Sequence, residues 1–228
     1  MRIWLPLACL VFILSGCNKM EQTKIEWNDF LQFNGGKYSS DLRAELSDTA
    51  FIGEVIGVIK HTLNGNIHDP DYESKDGDAA YLEVGTKLYS VINHPHLIAV
   101  KDKSAINGYK IFSRESTDFL DFPVFTKRKI SKIELHNDEI KKEITDSQVL
   151  NEIIRVFQLG NVTDQVSYSQ DDIQSFFIIL YTSTPFAGKY KIFYDGERYF
   201  LNQHNVHIFS DELNLFFDIN EDLMTDIS

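Results

Sequence analysis

The 228-residue chain carries 34 acidic and 22 basic side chains, a net charge of −12. Such a surface repels phosphate backbones and anionic headgroups, which excludes a nucleic-acid partner. With 43% hydrophobic, 25% charged and 13% aromatic residues, the composition is that of a packed globular body and excludes a disordered chain.

Residues 1–17 have the three-part layout of a secretory signal: Arg2, an apolar run from Ile3 to Leu14, then small residues. A run of about 12 apolar residues is too short for a bilayer that needs roughly 20, so the expectation is a cleaved signal and not a transmembrane helix. Its end, Leu14-Ser15-Gly16-Cys17, resembles the lipobox of bacterial lipoproteins. That resemblance implies removal of residues 1–16, a diacylglycerol on the Cys17 thiol, and a body held at the outer face of the cytoplasmic membrane by the polar tether 17–24. The mature chain then carries a net charge of −13. With Cys9 removed and Cys17 lipidated, no thiol is left for a disulfide, a metal or nucleophilic chemistry.

Strands dominate the expectation for the first half. Ile25 to Phe33 reads as a strand that turns at Asn34-Gly35-Gly36 into a hairpin toward Lys37-Tyr38. Asp41 to Thr49 is polar and predicts one helical turn or a loop, and Phe51 to Leu63 predicts a long strand that bends at its glycines. Residues 64–78 are the longest breaker-rich loop in the chain. Strands are expected again over 80–84, 87–92, 97–101 and 108–113.

Trp27-Asn28-Asp29-Phe30 with Asn34-Gly35, and Gly77-Asp78-Ala79-Ala80-Tyr81-Leu82-Glu83 with Gly85-Thr86 and Leu88-Tyr89, resemble a group of uncharacterised lipoproteins from Gram-positive bacilli. The resemblance spans roughly residues 25–113. It implies lipoprotein status and a shared fold, and it transfers no catalytic residue.

A mixed polar and aromatic stretch from Glu115 to Arg128, with Pro123 inside it, separates this half from a second pattern. Ile130 to Leu135 predicts a strand, Asn137-Asp138 a turn and Glu139 to Ile144 a returning strand. Thr145-Asp146-Ser147-Gln148 has the form of a capping box with Thr145 at the N-cap. The helix it opens carries Val149, Leu150, Ile153, Ile154 and Phe157 on one face and stops at Gly160-Asn161. A loop is expected over 161–173. The apolar run Phe176 to Tyr181 predicts a strand covered on both faces, Lys189 to Tyr194 alternates, Asp195-Gly196 predicts a hairpin turn, and Arg198 to Leu201 returns. Ser210 is placed to cap a final helix with Leu213, Phe216 and Phe217.

The chemistry search is mostly negative. The chain has no phosphate-binding Gly-x-x-x-x-Gly-Lys-Ser/Thr, no Gly-x-Ser-x-Gly and no His-Glu-x-x-His. Histidines pair as His94-Pro95-His96 and His204-x-x-His207, with His61, His68 and His136 alone. Strand alternation would set His94 and His96 on one face, as zinc needs, but no carboxylate follows at a telling spacing, so a surface loop is the reading adopted. Asp69, Asp71, Glu73, Asp76 and Asp78 concentrate hard oxygen ligands in one loop. The spacing fails the EF-hand pattern, with Ser74 where Gly belongs and Ala80 where Glu belongs, so a solvated acidic loop is preferred over a Ca²⁺ site. Trp27, Tyr38, Tyr72, Tyr190, Tyr194 and Tyr199 suit sugar or peptide stacking, yet in a strand-rich fold the same rings read as core and cross-strand pairs.

The expected fold is therefore α+β and β-rich. A β-rich antiparallel domain over 25–122 precedes an α+β domain over 123–228, an antiparallel sheet with helices packed on one face. No catalytic, cofactor or metal residue is assigned, and Cys17 is the one modified position. The expected role is a membrane-anchored binding or interaction module for a protein or small-molecule ligand. The alternative is a cell-envelope hydrolase with a carboxylate or histidine centre.

Overall fold

A computed structural model describes residues 25–136, 141–163, 173–202 and 206–217. The segment expected to carry the anchor, with Cys17, lies outside the described residues, as do His204 and the turn expected at Asn137-Asp138. The protein is β-rich, with two antiparallel sheets and few helices.

The first hairpin follows from Asn34-Gly35. Strands β1 (Phe30–Phe33) and β2 (Gly36–Ser40) pair antiparallel, and the turn residues take φ values of 47° and 67°, which Asn and Gly adopt more readily than other residues. The bent strand also forms, as β4 (Ile52–Val58) and β5 (His61–Thr62). With β6 (Asp78–Ala79), β7 (Lys87–Val91), β8 (Leu97–Lys101) and β9 (Tyr109–Ser113), these strands build a sheet of order β4-β7-β8-β9-β2-β1-β6-β5. Its pairs are antiparallel except for β5 with β6.

The two edges of this sheet, β4 and β5, are consecutive in the chain, so the bend between them curls the sheet back on itself. Curling gives the sheet an inside, where Leu31, Tyr38, Leu88, Ile98, Val100 and Phe112 bury against one another. Gly57 marks the seam: a Cβ there would stand 2.6 Å from the Phe33 ring on β1, a distance only glycine avoids. The strand expected over 80–84 does not form. The Ala80 amide still donates to the Phe30 carbonyl at 2.9 Å, after which the chain turns away toward Gly85 at φ 88°.

The second half begins with a 3₁₀ turn over 118–120 and the short helix α1 (Phe122–Phe125). Strands β10 (Lys132–His136) and β11 (Lys141–Ile144) lead into helix α2 (Ser147–Leu159) and strand β12 (Asn161–Thr163). After these come β13 (Gln174–Tyr181), β14 (Phe186–Tyr194), β15 (Tyr199–Asn202), β16 (Val206–Phe209) and the terminal turn α3 (Asn214–Phe217). The sheet order is β11-β10-β13-β14-β15-β16-β12.

Sequence and structure differ at four points here. The run Phe176 to Tyr181 is not covered on both faces, since Phe177 is 39% exposed with the Lys189 ammonium 5.0 Å from its ring. The cap of α2 is Asp146 and not Thr145: its Oδ1 accepts from the amides of Gln148 and Val149 at 2.9 and 3.0 Å, and a carboxylate suits a helix N-terminus better than a hydroxyl. The loop expected from 161 starts instead as β12, because β16 offers it a partner edge. Residues 44–46, placed in a helical turn or loop, form a buried strand, β3 (Ala44–Leu46). It pairs with the first part of β14, Ala187 opposite Glu45, while β15 holds the last part.

That pairing carries an element of the first half into the second sheet. One hydrophobic cluster accordingly contains Leu46, Val91, Leu97, Ala99 and Ile111 together with Ile133, Leu135, Ile153, Phe157, Ile178, Leu180 and Tyr190. On β8, Leu97 and Ala99 face this shared core and Ile98 and Val100 face the inside of the curled sheet. The boundary at 122/123 thus separates the sheets except for β3, which joins the second one, and does not divide the core: Leu120, Phe122 and Phe125 are all buried in the same cluster.

Candidate functional site

Alternation on β10 sends Ile133 and Leu135 into the core and leaves Lys132, Glu134 and His136 on the opposite face. Glu134 is nevertheless only 3% exposed. Lys132 Nζ, His136 Nε2 and Tyr181 Oη lie 2.6, 2.8 and 3.0 Å from its oxygens. Burial pushes the carboxyl toward protonation, but these bonds outweigh it and hold Glu134 ionised, down to about 2. An ionised carboxylate only accepts, so His136 must carry its proton on Nε2. The Lys132 ammonium also sits 4.0 Å above the Tyr181 ring. Acid and base meet here, but Glu134 is fully engaged with its neighbours.

Two further buried acids are engaged in the same way. Asp78, fully buried, accepts from Tyr72 Oη at 2.8 Å and from the Lys75 amide at 2.7 Å, and contacts His61 Nδ1 at 3.1 Å. Glu45 pairs with Lys189 at 2.8 Å and accepts from the Ile106 amide at 3.1 Å. Asp41 takes a two-pronged bond from Arg43 at 3.0 and 2.7 Å and a third from Thr117 at 2.7 Å. Burial works against its charge, but those bonds hold its carboxyl below the usual range. Arg43 reaches on to Asp121, so β3 is pinned to the segment that opens the second half.

A cavity of about 310 Å³ opens where the end of α2, α1 and the β12–β16 edge meet. Its apolar wall is Phe122 from α1 and Phe157 from α2, edge to face with centroids 5.1 Å apart. Val162 and His207, a cross-strand pair of β12 and β16, form another wall. Gln158 donates to the Thr126 carbonyl at 2.9 Å and latches the last turn of α2 to the chain after α1. Lys127 completes the rim. Partial burial lowers the His207 pKa, which keeps the ring neutral at pH 7. No described residue forms a hydrogen bond with that ring, and no carboxylate lines the described wall. A smaller polar cleft of about 100 Å³ lies by Asp41, Glu45, Asp102, Lys110 and Lys189. There Lys110 and Lys189 are already paired, with Asp29 and Glu45.

The residues singled out in the sequence are placed as follows. His94 and His96 lie in the connection between β7 and β8 with ring centroids 5.6 Å apart, and Phe51 packs beside His94. No group of three or more metal-type side chains stands together among the described residues. The acidic loop is not simply solvated: Asp78 turns inward, Asp76 accepts from the Gly35 amide at 2.9 Å, and Asp69 accepts from the Asp71 amide at 3.0 Å. The aromatics mostly hold structure. Tyr38, Tyr190 and Tyr199 are buried, Tyr194 stacks on Tyr199 at 4.6 Å, and Trp27 packs on Phe30. Of the cavity residues, the sequence places Phe157 on a helix face and His207 in a histidine pair, without joining them. The available signal was Lys127-Arg128-Lys129, a basic run after an aromatic stretch in an acidic chain.

Comparison with protein-family models, with curated proteins and with solved structures returns no match. No helix of the described residues is long and apolar enough to cross a membrane.

Proposed function

We propose that the protein is a lipoprotein of the bacterial cell envelope, a binding module tethered to the outer face of the cytoplasmic membrane through lipid on Cys17. The cavity carries the binding half of this reading. Its wall is aromatic with a few convergent polar groups, the make-up of ligand sites, while the buried acids Glu134, Asp78 and Glu45 are each engaged by protein donors elsewhere. The anchor half rests on Leu14-Ser15-Gly16-Cys17. Within the body, the strands of 25–122 other than β3 form a β unit, and β3 with the described residues after 122 forms an antiparallel sheet with helices on one face, the two joined through the shared core. Leu150 and Ile153 of α2 in one cluster with Ile133 and Leu135 of β10 support that layering.

An envelope hydrolase is the second reading, and the meeting of Glu134 with His136 at 2.8 Å favours it. Against it, Glu134 is held strongly ionised and neither residue lines the cavity.

The test of the anchor is metabolic labelling. Cells given labelled palmitate should transfer label to the wild-type protein, and Cys17→Ala should abolish both labelling and cleavage of the signal. Two long acyl chains at about 0.8 kcal/mol per buried CH₂ hold a protein essentially permanently, so the wild-type chain should stay with membranes through a high-salt wash. Unlabelled wild-type protein would end the lipobox reading. For the body, native mass spectrometry after gentle extraction should find a small molecule retained, whereas an envelope hydrolase should turn over generic ester or glycoside substrates and lose that activity in Glu134→Gln.

A further inference from the structure

We infer that the cavity between α1, α2 and the β12–β16 edge takes a small amphiphilic acid, an apolar body of one ring or a short acyl chain bearing one carboxylate or phosphate. This deepens the binding reading and rests on it. At about 310 Å³ the space is at the small end of ligand cavities, which run from roughly 300 to 1,000 Å³, so one ring or a short chain fills it. Phe122 and Phe157 offer that body an apolar, aromatic wall.

The polar groups decide the charge. Lys127 lines the rim and is followed directly by Arg128 and Lys129, three cations in succession on a chain whose net charge is −12. The Lys127 ammonium has no acid partner among the described residues, and the His207 ring, elsewhere in the same lining, has no hydrogen bond from any of them. An acid headgroup is the acceptor that the Lys127 ammonium lacks. A neutral ligand leaves the ammonium unmatched, and a cationic one meets it with like charge and no carboxylate among the described lining residues to offset it. The overall negative charge of the protein disfavours anions at long range, and the Lys127 ammonium at the rim opposes that locally.

The experiment is a titration of the full-length protein in phosphatidylcholine nanodiscs with three matched probes: 3-phenylpropionate, 3-phenylpropanol and 3-phenylpropylamine. One saturable site is expected, with the acid about tenfold tighter than the alcohol, as a charge-assisted hydrogen bond supplies, and the amine weakest. Lys127→Ala, a change at an exposed position, should erase most of the difference between acid and alcohol by weakening the acid far more than the alcohol, whose hydroxyl gains only a neutral-acceptor hydrogen bond from the ammonium. Val162→Trp, also at an exposed position, should weaken both by filling the mouth, with the far-ultraviolet circular dichroism unchanged. Equal binding of acid and alcohol, or a preference that survives Lys127→Ala, overturns the anionic class and leaves a binding cavity standing. Acid binding indifferent to Val162→Trp overturns the site. Failure of all three probes overturns the ligand class and removes the observation on which the binding reading stands. Mixing phosphatidylglycerol into the discs separates the sources: competition with 3-phenylpropionate assigns the acid to a bilayer lipid, and undiminished binding assigns it to a soluble acid.

Discussion

Glu134 shows how a carboxylate survives on a sheet face with almost no water. Removing one partner of a buried charged network leaves the others unsatisfied, a loss of about 3–5 kcal/mol, so Glu134→Ala should destabilise by that order in chemical denaturation, and Glu134→Gln by less because the amide oxygen still accepts. The pH dependence follows from the sign of the shift. The folded-state pKa lies near 2 against an ordinary value of 4.5, so the network stabilises the native state fully above about pH 4.5 and loses that contribution as pH falls toward 2. Comparing acid unfolding of wild type and Glu134→Gln checks this: the variant's stability should change less across that window. Equal slopes would mean that Glu134 titrates alike in the folded and unfolded chains. The pattern Lys-x-Glu-x-His was visible in the sequence, but Tyr181 was not a visible partner, because a cross-strand neighbour depends on register.

At the scale of elements, α2 was the most legible and β3 the least. The helix is specified locally, by apolar residues at helical spacing and a polar start: of the expected face Leu150, Ile153 and Phe157 are buried and Val149 and Ile154 half-buried, while Val156, not on the expected face, is buried as well. Ile153 is fully buried, so Ile153→Ala should cost about 2–5 kcal/mol. The cap divides the sequence reading from the structure: Asp146→Ala should cost about 1 kcal/mol and Thr145→Ala much less, read as shifts in urea midpoint. The reverse order would restore Thr145 as the cap. β3 has no local signature. Its three residues include Glu45 and follow Asp41 and Arg43, and they become a strand only because the edge of β14 is free there and Lys189 neutralises Glu45.

At the scale of the molecule, the shared core predicts shared fate. Leu46, Val91, Leu97 and Ile111 pack in one cluster with Ile133, Leu180 and Tyr190, and Arg43 ties β3 to Asp121. Neither half can unfold without exposing apolar surface of the other, at about 25 cal/mol per Å². Thermal unfolding should therefore be a single transition, with intrinsic fluorescence and circular dichroism coinciding. Two resolved transitions would show that the sequence boundary at 122/123 also divides the stability. Limited proteolysis should begin in the exposed part of the 64–78 loop, at residues such as Asp69 and Asp71, and spare 118–126, where Leu120, Phe122 and Phe125 are buried.

The sequence by itself determined what depends on near neighbours: the Asn34-Gly35 hairpin, most of the buried face of α2, the presence of strands β7, β8 and β9, and the absence of any cysteine after Cys17. The tertiary structure alone decided what depends on distant ones. The bent strand 51–63 supplies both edges of a curled sheet because β6 and β7 arrive to pair with its two pieces. Asp78 leaves the acidic loop for the interior because Tyr72, Lys75 and His61 supply its hydrogen bonds. The cavity gathers Phe122, Phe157 and His207 from three elements whose separation in sequence conceals their contact. Local pattern fixes which face of an element is apolar. Which surface that face meets, and what is enclosed between them, is settled by the packing of the whole chain.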